Sequence, residues 1–309
     1  MPNSELIGLF AVLVGVSTVA GVEALLVFDW LFERIIGRSR GKISRRIIVP
    51  WTIIFLVGVG CALYAHFIEP FRFEVTHHTV RAPGLPPGFR LRILHLTDLH
   101  LEGEGRACRW IAETVRKEKP GIIAMTGDYV NEPRAGGQAL KKLLGQIDAP
   151  HILAVTGNYH PTDPSEFRKD IATLYGAPLV IDVDGEEIAF VGCEITEPEN
   201  FERAMANVGD VSYTVVLYHK PEMIELAAQH GADLYLCGHT HGGQIRLPFY
   251  GAVVTFSSLG KKYEAGRYQV GEMTAYVGRG IGNEGGRAPR LRFLCRPEIA
   301  VFDVVGTGP

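Results

Sequence analysis

The 309-residue sequence has few cysteines, and they stand far apart. No two of them are spaced as Cys-x-x-Cys, so the sequence lacks the usual signature of a structural zinc site. We interpret them as small buried side chains, with a disulfide as the alternative in an oxidising compartment. The five are Cys61, Cys108, Cys193, Cys237 and Cys295.

The sequence also lacks an excess of positive charge. Lys and Arg number 31 against 34 Asp and Glu, which gives a formal net charge of −3. Beyond residue 91 there is no long basic stripe of the kind that binds nucleic acid. We therefore expect no nucleic-acid partner, and no motif points to a protein partner.

Charged residues are nearly absent from two runs close to the N-terminus. The run 6–28 contains one charged residue, Glu23, and the run 47–67 contains no Asp, Glu, Lys or Arg. About twenty apolar residues cross the hydrocarbon core of a bilayer, so each run predicts a transmembrane helix. A buried core helix is the alternative, chiefly for the first run, because a charge at membrane depth is costly.

A basic loop separates the two runs. Short loops rich in Lys and Arg stay on the cytoplasmic side of a membrane. We therefore predict a cell-membrane protein with two spans, both termini outside and an extracytoplasmic catalytic domain. A solvated connector or a surface for anionic lipids is the alternative role for the loop. Its basic residues are Arg34, Arg38, Arg40, Lys42, Arg45 and Arg46.

The Pro- and Gly-rich stretch 81–88 marks a boundary between two parts of the chain. We assign 1–68 to a membrane anchor, 69–90 to a linker and 91–309 to one globular domain. Short apolar strands alternate with helical patterns early in this domain, which predicts an α/β fold with a mainly parallel sheet. Three β-rich segments beyond residue 250 predict a second sheet built from the C-terminal half.

Polar side chains stand where the apolar strands of this domain end. Asp98, Asp128 and Asn158 each follow one of the first three strands. Ligands bind at the carboxyl ends of parallel strands, so we expect these three side chains to converge. Histidines follow the same strand or later ones: His100, His219, His239 and His241.

Two carboxylates, one amide and four imidazoles suit two metal ions better than one. Oxygen and nitrogen donors favour Mn, with Fe or Zn as alternatives. Two such cations clamp a phosphate and lower the pKa of bound water, so that hydroxide attacks phosphorus in line. Each residue taken singly is a weak signal, because a strand-end Asp is often a helix cap or turn residue.

In their order along the chain, these motifs resemble those of the calcineurin-like metallophosphoesterases. The segment "GHTHGGQIRLP" at 238–248 is similar to that of a bacterial membrane-associated subgroup. The resemblance covers about residues 91–305 and implies a four-layer αββα sandwich with two divalent metal ions. The shared motifs are Asp98-x-His100, Gly127-Asp128, Gly157-Asn158, the strand-end His219 and Gly238-His239-x-His241.

The resemblance also implies how the ligands are divided. The first ion takes two carboxylates and two imidazoles, which are Asp98, His100, Asp128 and His241. The second shares the bridging carboxylate of Asp128 and takes an amide and two imidazoles, which are Asn158, His219 and His239.

Two positions depart from the family's pattern. Relatives have a His after the Gly-Asn pair that contacts phosphate or protonates the leaving oxygen, whereas this chain has Tyr159, with His160 one residue later. Both are candidate catalytic residues, and general acid–base help is worth about 10²–10⁴ in rate. Asn131 stands where many relatives have an acid, and we expect little effect from that change.

We therefore expect hydrolysis of a phosphomonoester or phosphodiester at a membrane, with a phosphorylated small molecule or a lipid-linked phosphate as substrate. The alternative is a membrane-anchored metal-binding protein with little or no turnover, which the departure at Tyr159 suggests. A metallo-β-lactamase-type hydrolase fits poorly, because the paired histidines come late in the domain. Arg279, Arg287 and Arg290 are candidates to contact phosphate, although a structural or solvated role is the preferred interpretation.

Overall fold

A computed structural model describes residues 3–36, 45–160, 162–195, 197, 199–284 and 290–308. Arg38, Arg40 and Lys42 of the basic loop and the candidate Arg287 lie outside these ranges. The helices are α1 (Asn3–Ile36), α2 (Arg45–Phe67), α3 (Arg106–Glu118), α4 (Ala135–Leu144), α5 (Glu199–Ala206) and α6 (Ile224–Gln229).

The strands come in chain order from residue 74 onward. They are β1 (Glu74–Ala82), β2 (Arg90–Leu96), β3 (Ile122–Thr126), β4 (His151–Val155), β5 (Ile171–Thr173), β6 (Leu179–Val183), β7 (Glu186–Gly192), β8 (Tyr213–Leu217), β9 (Leu234–Cys237), β10 (Arg246–Leu247), β11 (Gly251–Ala252), β12 (Gly266–Val270), β13 (Met273–Val277) and β14 (Glu298–Gly306).

The first two helices expose their apolar side chains. Helices α1 and α2 contact each other, and Leu25 and Leu56 are 67% and 60% exposed. The segments Val14–Leu31 and Val49–Phe71 are long and apolar enough to cross a membrane. Only 0% of the first segment and 6% of the second are buried within the protein. A core helix of a soluble protein is mostly buried, so this alternative does not fit, and the two helices could be membrane spans.

The rest of the chain is built on two six-stranded sheets. The first has the order β1-β14-β2-β3-β4-β5, and the second has the order β12-β13-β9-β8-β7-β6. Strands β2 to β5 are parallel to one another, as are β7, β8, β9 and β13. The predicted α/β class is therefore confirmed.

Alternate residues of each strand point to opposite faces of its sheet. In β3, Ile122 and Ala124 belong to a core that both sheets line, whereas Ile123 and Met125 pack with α3 and α4. The outer face of the second sheet packs in the same way against α5 and α6. Helices thus cover the outside of two stacked sheets.

Three segments differ from the organisation expected from sequence. The stretch 69–90, interpreted as a linker, contains strand β1, which pairs in parallel with β14 along its whole length. The β-rich segment that forms β14 was expected in the second sheet, but it lies between β1 and β2 of the first. The segment around 251–258 supplies only the two residues of β11. These pairings join distant parts of the chain, and local patterns do not encode them.

The stacking of the sheets brings two sets of strand ends together. The carboxyl end of β3 packs near β8 of the other sheet, and His219, just after β8, reaches the carbonyl of Thr126 at 2.7 Å. Loops that follow β2, β3 and β4 therefore meet loops that follow β8 and β9.

Four of the five cysteines are buried and Cys61 is partly buried, all of them free thiols.

Candidate metal centre

A first group of predicted ligands converges where β2 and β9 end. Asp98, His100 and His241 are all buried, and they place one donor atom each within 4.8 Å of the others. His241 Nε2 lies 3.4 Å from Asp98 Oδ1 and 3.0 Å from His100 Nε2. Donor atoms that share an ion at about 2.0–2.2 Å lie about 3–3.5 Å apart, so this spacing fits one cation.

A second group consists of Asp98, Asp128 and His219. His219 Nε2 lies 3.3 Å from Asp128 Oδ2, yet this buried nitrogen makes no hydrogen bond to any described residue. On the other side of the ring, Nδ1 lies 2.7 Å from the carbonyl oxygen of Thr126. A carbonyl only accepts, so Nδ1 donates and Nε2 faces the carboxylates with its lone pair or a second proton.

Asp128 lies between the two groups. Its Oδ2 atom is 3.7 Å from His100 Nε2 and 3.3 Å from His219 Nε2. One carboxylate oxygen thus borders an imidazole of each group, as a bridging ligand does. The structure makes Asp98 a second shared member, since it belongs to both groups.

Burial and neighbouring charges shift the pKa values of several groups in this pocket. Burial raises the pKa of Asp98 to about 7, and the charge of Asp128 adds to the effect. Burial lowers the pKa of His100 and of His239 to about 4. Burial opposes protonation of His219 too, but its contact with Asp128 outweighs this and raises the pKa to about 9. Neutral imidazoles beside carboxylates are the donor forms that bind a metal, so divalent cations fit this set.

Backbone amides fix the orientation of both carboxylates. The His239 N–H donates to the two oxygens of Asp98 at 3.2 and 3.0 Å, and the Thr97 hydroxyl donates to Oδ2 at 2.7 Å. The Tyr159 N–H donates to Asp128 Oδ1 at 2.8 Å. Each carboxylate therefore has a set orientation before any ligand binds.

Backbone strain is concentrated in these loops. Six non-glycine residues of the site have φ between 42° and 70°, a region that costs energy for residues with a Cβ atom. Close approaches also require the motif glycines. A Cβ atom on Gly157 would lie 2.0 Å from Asp128 Oδ1, and one on Gly238 would lie 2.0 Å from Asp98 Oδ2. The strained residues are Asp98, His100, Asp128, His160, His239 and His241.

Of the remaining candidates, His239 and Tyr159 lie beside imidazoles of the two groups. The His239 ring lies 5.1 Å from the His219 ring, centroid to centroid, and Asn158 has an exposed side chain in the loop after β4. Tyr159 is half-buried with its ring 5.7 Å from that of His100. His160 is exposed, and its ring lies 4.8 Å from that of Tyr159. Of the two candidate catalytic residues, Tyr159 is thus the one packed beside a metal-site imidazole.

The sequence did not single out two residues that touch the site. Arg292 is fully buried, and its Nη2 atom lies 3.5 Å from His241 Nδ1 and donates to the Gly282 carbonyl at 2.5 Å. Burial foremost, and then the charges of His100 and Arg292, hold the pKa of His241 well below its usual value. Glu284 Oε2 lies 3.8 Å from His241 Nε2, and burial raises its pKa. A single Arg or Glu in a Gly-rich stretch is not part of a spaced motif, so the sequence alone does not reveal the role of Arg292 or Glu284.

The two candidate arginines within the described residues, Arg279 and Arg290, are engaged in ion pairs. Arg279 is 2.8 Å from Glu298 and also pairs with Glu74, and Arg290 pairs with Glu102. These contacts agree with the structural role preferred from the sequence.

Asn131 orients one of the imidazoles. Its Oδ1 atom lies 2.6 Å from His100 Nδ1, which donates to it and so leaves Nε2 free to face the site. The amide oxygen supplies the acceptor that His100 Nδ1 requires, which is a physical reason to expect little effect from that departure.

Removing this acceptor is expected to weaken metal binding. The Asn131→Leu variant is predicted to bind Mn²⁺ about 10–100-fold more weakly, because loss of a histidine's outer partner has an effect of that size. Calorimetric titration of the purified full chain measures the affinity. Asn131→Asp keeps an acceptor and serves as the matched control, with affinity at or above that of the original chain. Equal affinities for all three proteins would contradict a role for this contact.

Comparison with known proteins agrees with this geometry. The calcineurin-like phosphoesterase superfamily domain matches residues 91–247, a range that contains all seven predicted ligands. The chain is 33% identical to the metallophosphoesterase YkuE of Bacillus subtilis, over 79% of this chain and 90% of YkuE. It is 28% identical to the phosphodiesterase YaeI of Escherichia coli, over 85% of this chain and 100% of YaeI.

Among solved structures, TT1561 of Thermus thermophilus is 11% identical, with a TM-score of 0.43 over 63% of this chain and 92% of that chain. That likeness adds no weight to the assignment, which depends on the matched domain and on the identity to YkuE. The match covers half of the chain and includes every strand end from which the donors converge. We conclude that this chain is a member of the calcineurin-like phosphoesterase superfamily.

Proposed function

We propose that this chain hydrolyses phosphodiester or phosphomonoester bonds with the help of two divalent cations. The observation that carries the proposal is the meeting of two buried donor groups at Asp98 and Asp128. The names of its relatives, metallophosphoesterase and phosphodiesterase, support the reaction class. Carboxylate and imidazole donors favour Mn²⁺, with Fe or Zn as alternatives.

The proposed ligand sets follow the two groups. One cation would be held by Asp98, His100 and His241, and the other by Asp128 and His219, with Asp98 bordering both groups and Asp128 also near His100. His239 and Asn158 are the further predicted ligands of the second cation. Two cations at such a site lower the pKa of bound water and neutralise charge on the phosphoryl group. His100 and His219 each donate a hydrogen bond from Nδ1 to a fixed oxygen acceptor, so both rings point Nε2 into the site.

In the proposed reaction, the oxygen of water attacks phosphorus. The phosphorus–oxygen bond to the alcohol breaks, and the departing oxygen takes a proton. Asp98 and Asp128 are held in place by backbone N–H groups, so they require little reorganisation during the reaction. Tyr159, packed beside His100, is the proposed hydrogen-bond donor to the phosphate or the leaving oxygen.

Asp128→Asn is expected to abolish most of the activity while preserving the fold. Loss of one stabilising group in a buried polar site costs about 10²–10³ in rate. Hydrolysis of bis-p-nitrophenyl phosphate by the full chain with Mn²⁺ measures this, and Asp210→Asn, on an exposed side chain, is the control. Metal binding by the original chain without turnover of any phosphodiester or monoester would favour the metal-binding protein over the enzyme.

Tyr159→Phe is expected to slow poor leaving groups most. A proton or hydrogen bond given to the leaving oxygen matters more for a phenyl ester than for a p-nitrophenyl ester, so the phenyl ester is predicted to lose about 10²-fold in kcat. The p-nitrophenyl ester is predicted to lose much less. His160→Ala is the comparison, since its side chain is exposed. A larger loss for His160→Ala than for Tyr159→Phe would reverse the assignment.

We further propose that α1 and α2 cross the cell membrane and leave the catalytic domain outside the cytoplasm. The basic residues between the helices support this orientation. An alkaline phosphatase reporter, which is active only outside the cytoplasm, is predicted to be active after residue 308 and inactive when fused after Lys42. The opposite pattern would place the catalytic domain inside and make cytoplasmic phosphoesters its substrates.

A further inference from the structure

A cavity of about 790 Å³ lies between the end of α2 and the metal centre. Phe67 at the end of α2, Phe71 just beyond it and His100 from the metal centre are among the residues that line it. Sites for small molecules commonly measure about 300–1,000 Å³, so the cavity is large enough for a substantial part of a substrate. We call it the α2 groove and define it by Phe67, Phe71, Phe73, His100, Leu101 and Ile281.

The side of the groove nearest the membrane helix is aromatic. Phe67 and Phe71 are 63% and 51% exposed, and Phe73 stacks on Trp110 at 4.8 Å. Exposed aromatic side chains at the end of a membrane span are typical of the boundary between lipid and water. A groove with such a wall favours an apolar occupant over a fully hydrated one.

The groove is a fixed feature, because the end of α2 is bonded to the loops of the site. The Arg292 N–H donates to the carbonyl of Ala65 at 3.0 Å, and the buried carboxylate of Glu69 accepts from the Cys295 N–H. The Cys295 thiol in turn lies 3.2 Å from the carbonyl of His241. A short series of contacts thus connects the membrane helix to a metal-site histidine.

A cation stands beside the aromatic wall. The exposed guanidinium of Arg106 lies 5.4 Å from the centre of the Phe71 ring. Arg106 lines the same cavity, at the start of α3. Glu102 and Glu104 line the cavity as well. They pair with Arg290 and Lys142, which leaves Arg106 to attract an anionic head group. An apolar wall beside this cation matches an amphiphile that carries a phosphate.

We propose that the α2 groove takes the aliphatic chain of a phosphoester from the bilayer, while the phosphate of the same molecule reaches the metal centre. This inference rests on the proposed hydrolysis and names its substrate class. Water supplies oxygen to phosphorus, the bond from phosphorus to one alcohol breaks, and that alcohol leaves with a proton. The aliphatic chain stays in the groove and holds the phosphate beside His100.

Two diesters with one leaving group test the proposal. The full chain in phosphatidylcholine nanodiscs is given p-nitrophenyl ethyl phosphate or p-nitrophenyl octyl phosphate, with Mn²⁺. Each buried methylene group is worth roughly fourfold in affinity, so six partly buried ones are expected to raise kcat/KM by at least about tenfold. Phe71→Ser is expected to lower the octyl-to-ethyl ratio at least about threefold.

Phe249→Ser is the matched control, because Phe249 is fully exposed and lies outside the groove. Partitioning of the octyl ester into the bilayer is the same for both variants, so only contact in the groove separates them. A ratio near one in the original chain, or an equal ratio in Phe71→Ser and Phe249→Ser, would overturn the groove proposal alone. Failure to hydrolyse either ester would overturn the proposed function, and the groove proposal with it.

Discussion

The carboxylates of Asp98 and Asp128 are almost completely buried within the protein. Burial of an ionised carboxylate is costly unless hydrogen bonds and opposite charge accompany it. Backbone N–H groups satisfy part of the requirement, from His239 for one carboxylate and Tyr159 for the other. The imidazoles nearby are mostly held neutral by burial, which leaves them in the form that binds a cation. The other features of the site are consequences of this requirement.

Both sheets contribute residues to the site around the buried carboxylates. Loops after β2 and β3 supply the carboxylates and one imidazole, and loops after β8 and β9 supply the facing imidazoles. Non-glycine residues at positive φ and glycines without room for a Cβ atom show how closely these loops approach one another. Such strain persists only where the surrounding structure fixes it. Here, two packed sheets and a buried Arg292 behind His241 do so.

Local patterns in the sequence predicted the features that depend on local order. Apolar strands ending at Asp98 and Asp128 predicted where the donors meet, and two nearly uncharged runs predicted the N-terminal helices. Strand β1 and the placement of β14 escaped prediction, because pairing between residues 74–82 and 298–306 has no local signature. Arg292 and Glu284 were missed for a similar reason, since a single charged residue shows its role only through its neighbours in space.

The family assignment and the two donor groups support the proposed two-cation centre, and Asp128 is the residue on which that proposal depends. Crystals of the full chain grown with Mn²⁺ test it most directly, through anomalous scattering. Two peaks about 3.5–4 Å apart are predicted, one beside Asp98, His100 and His241 and the other beside His219, with Asp128 between them. A single peak, or peaks remote from Asp128, would contradict the account.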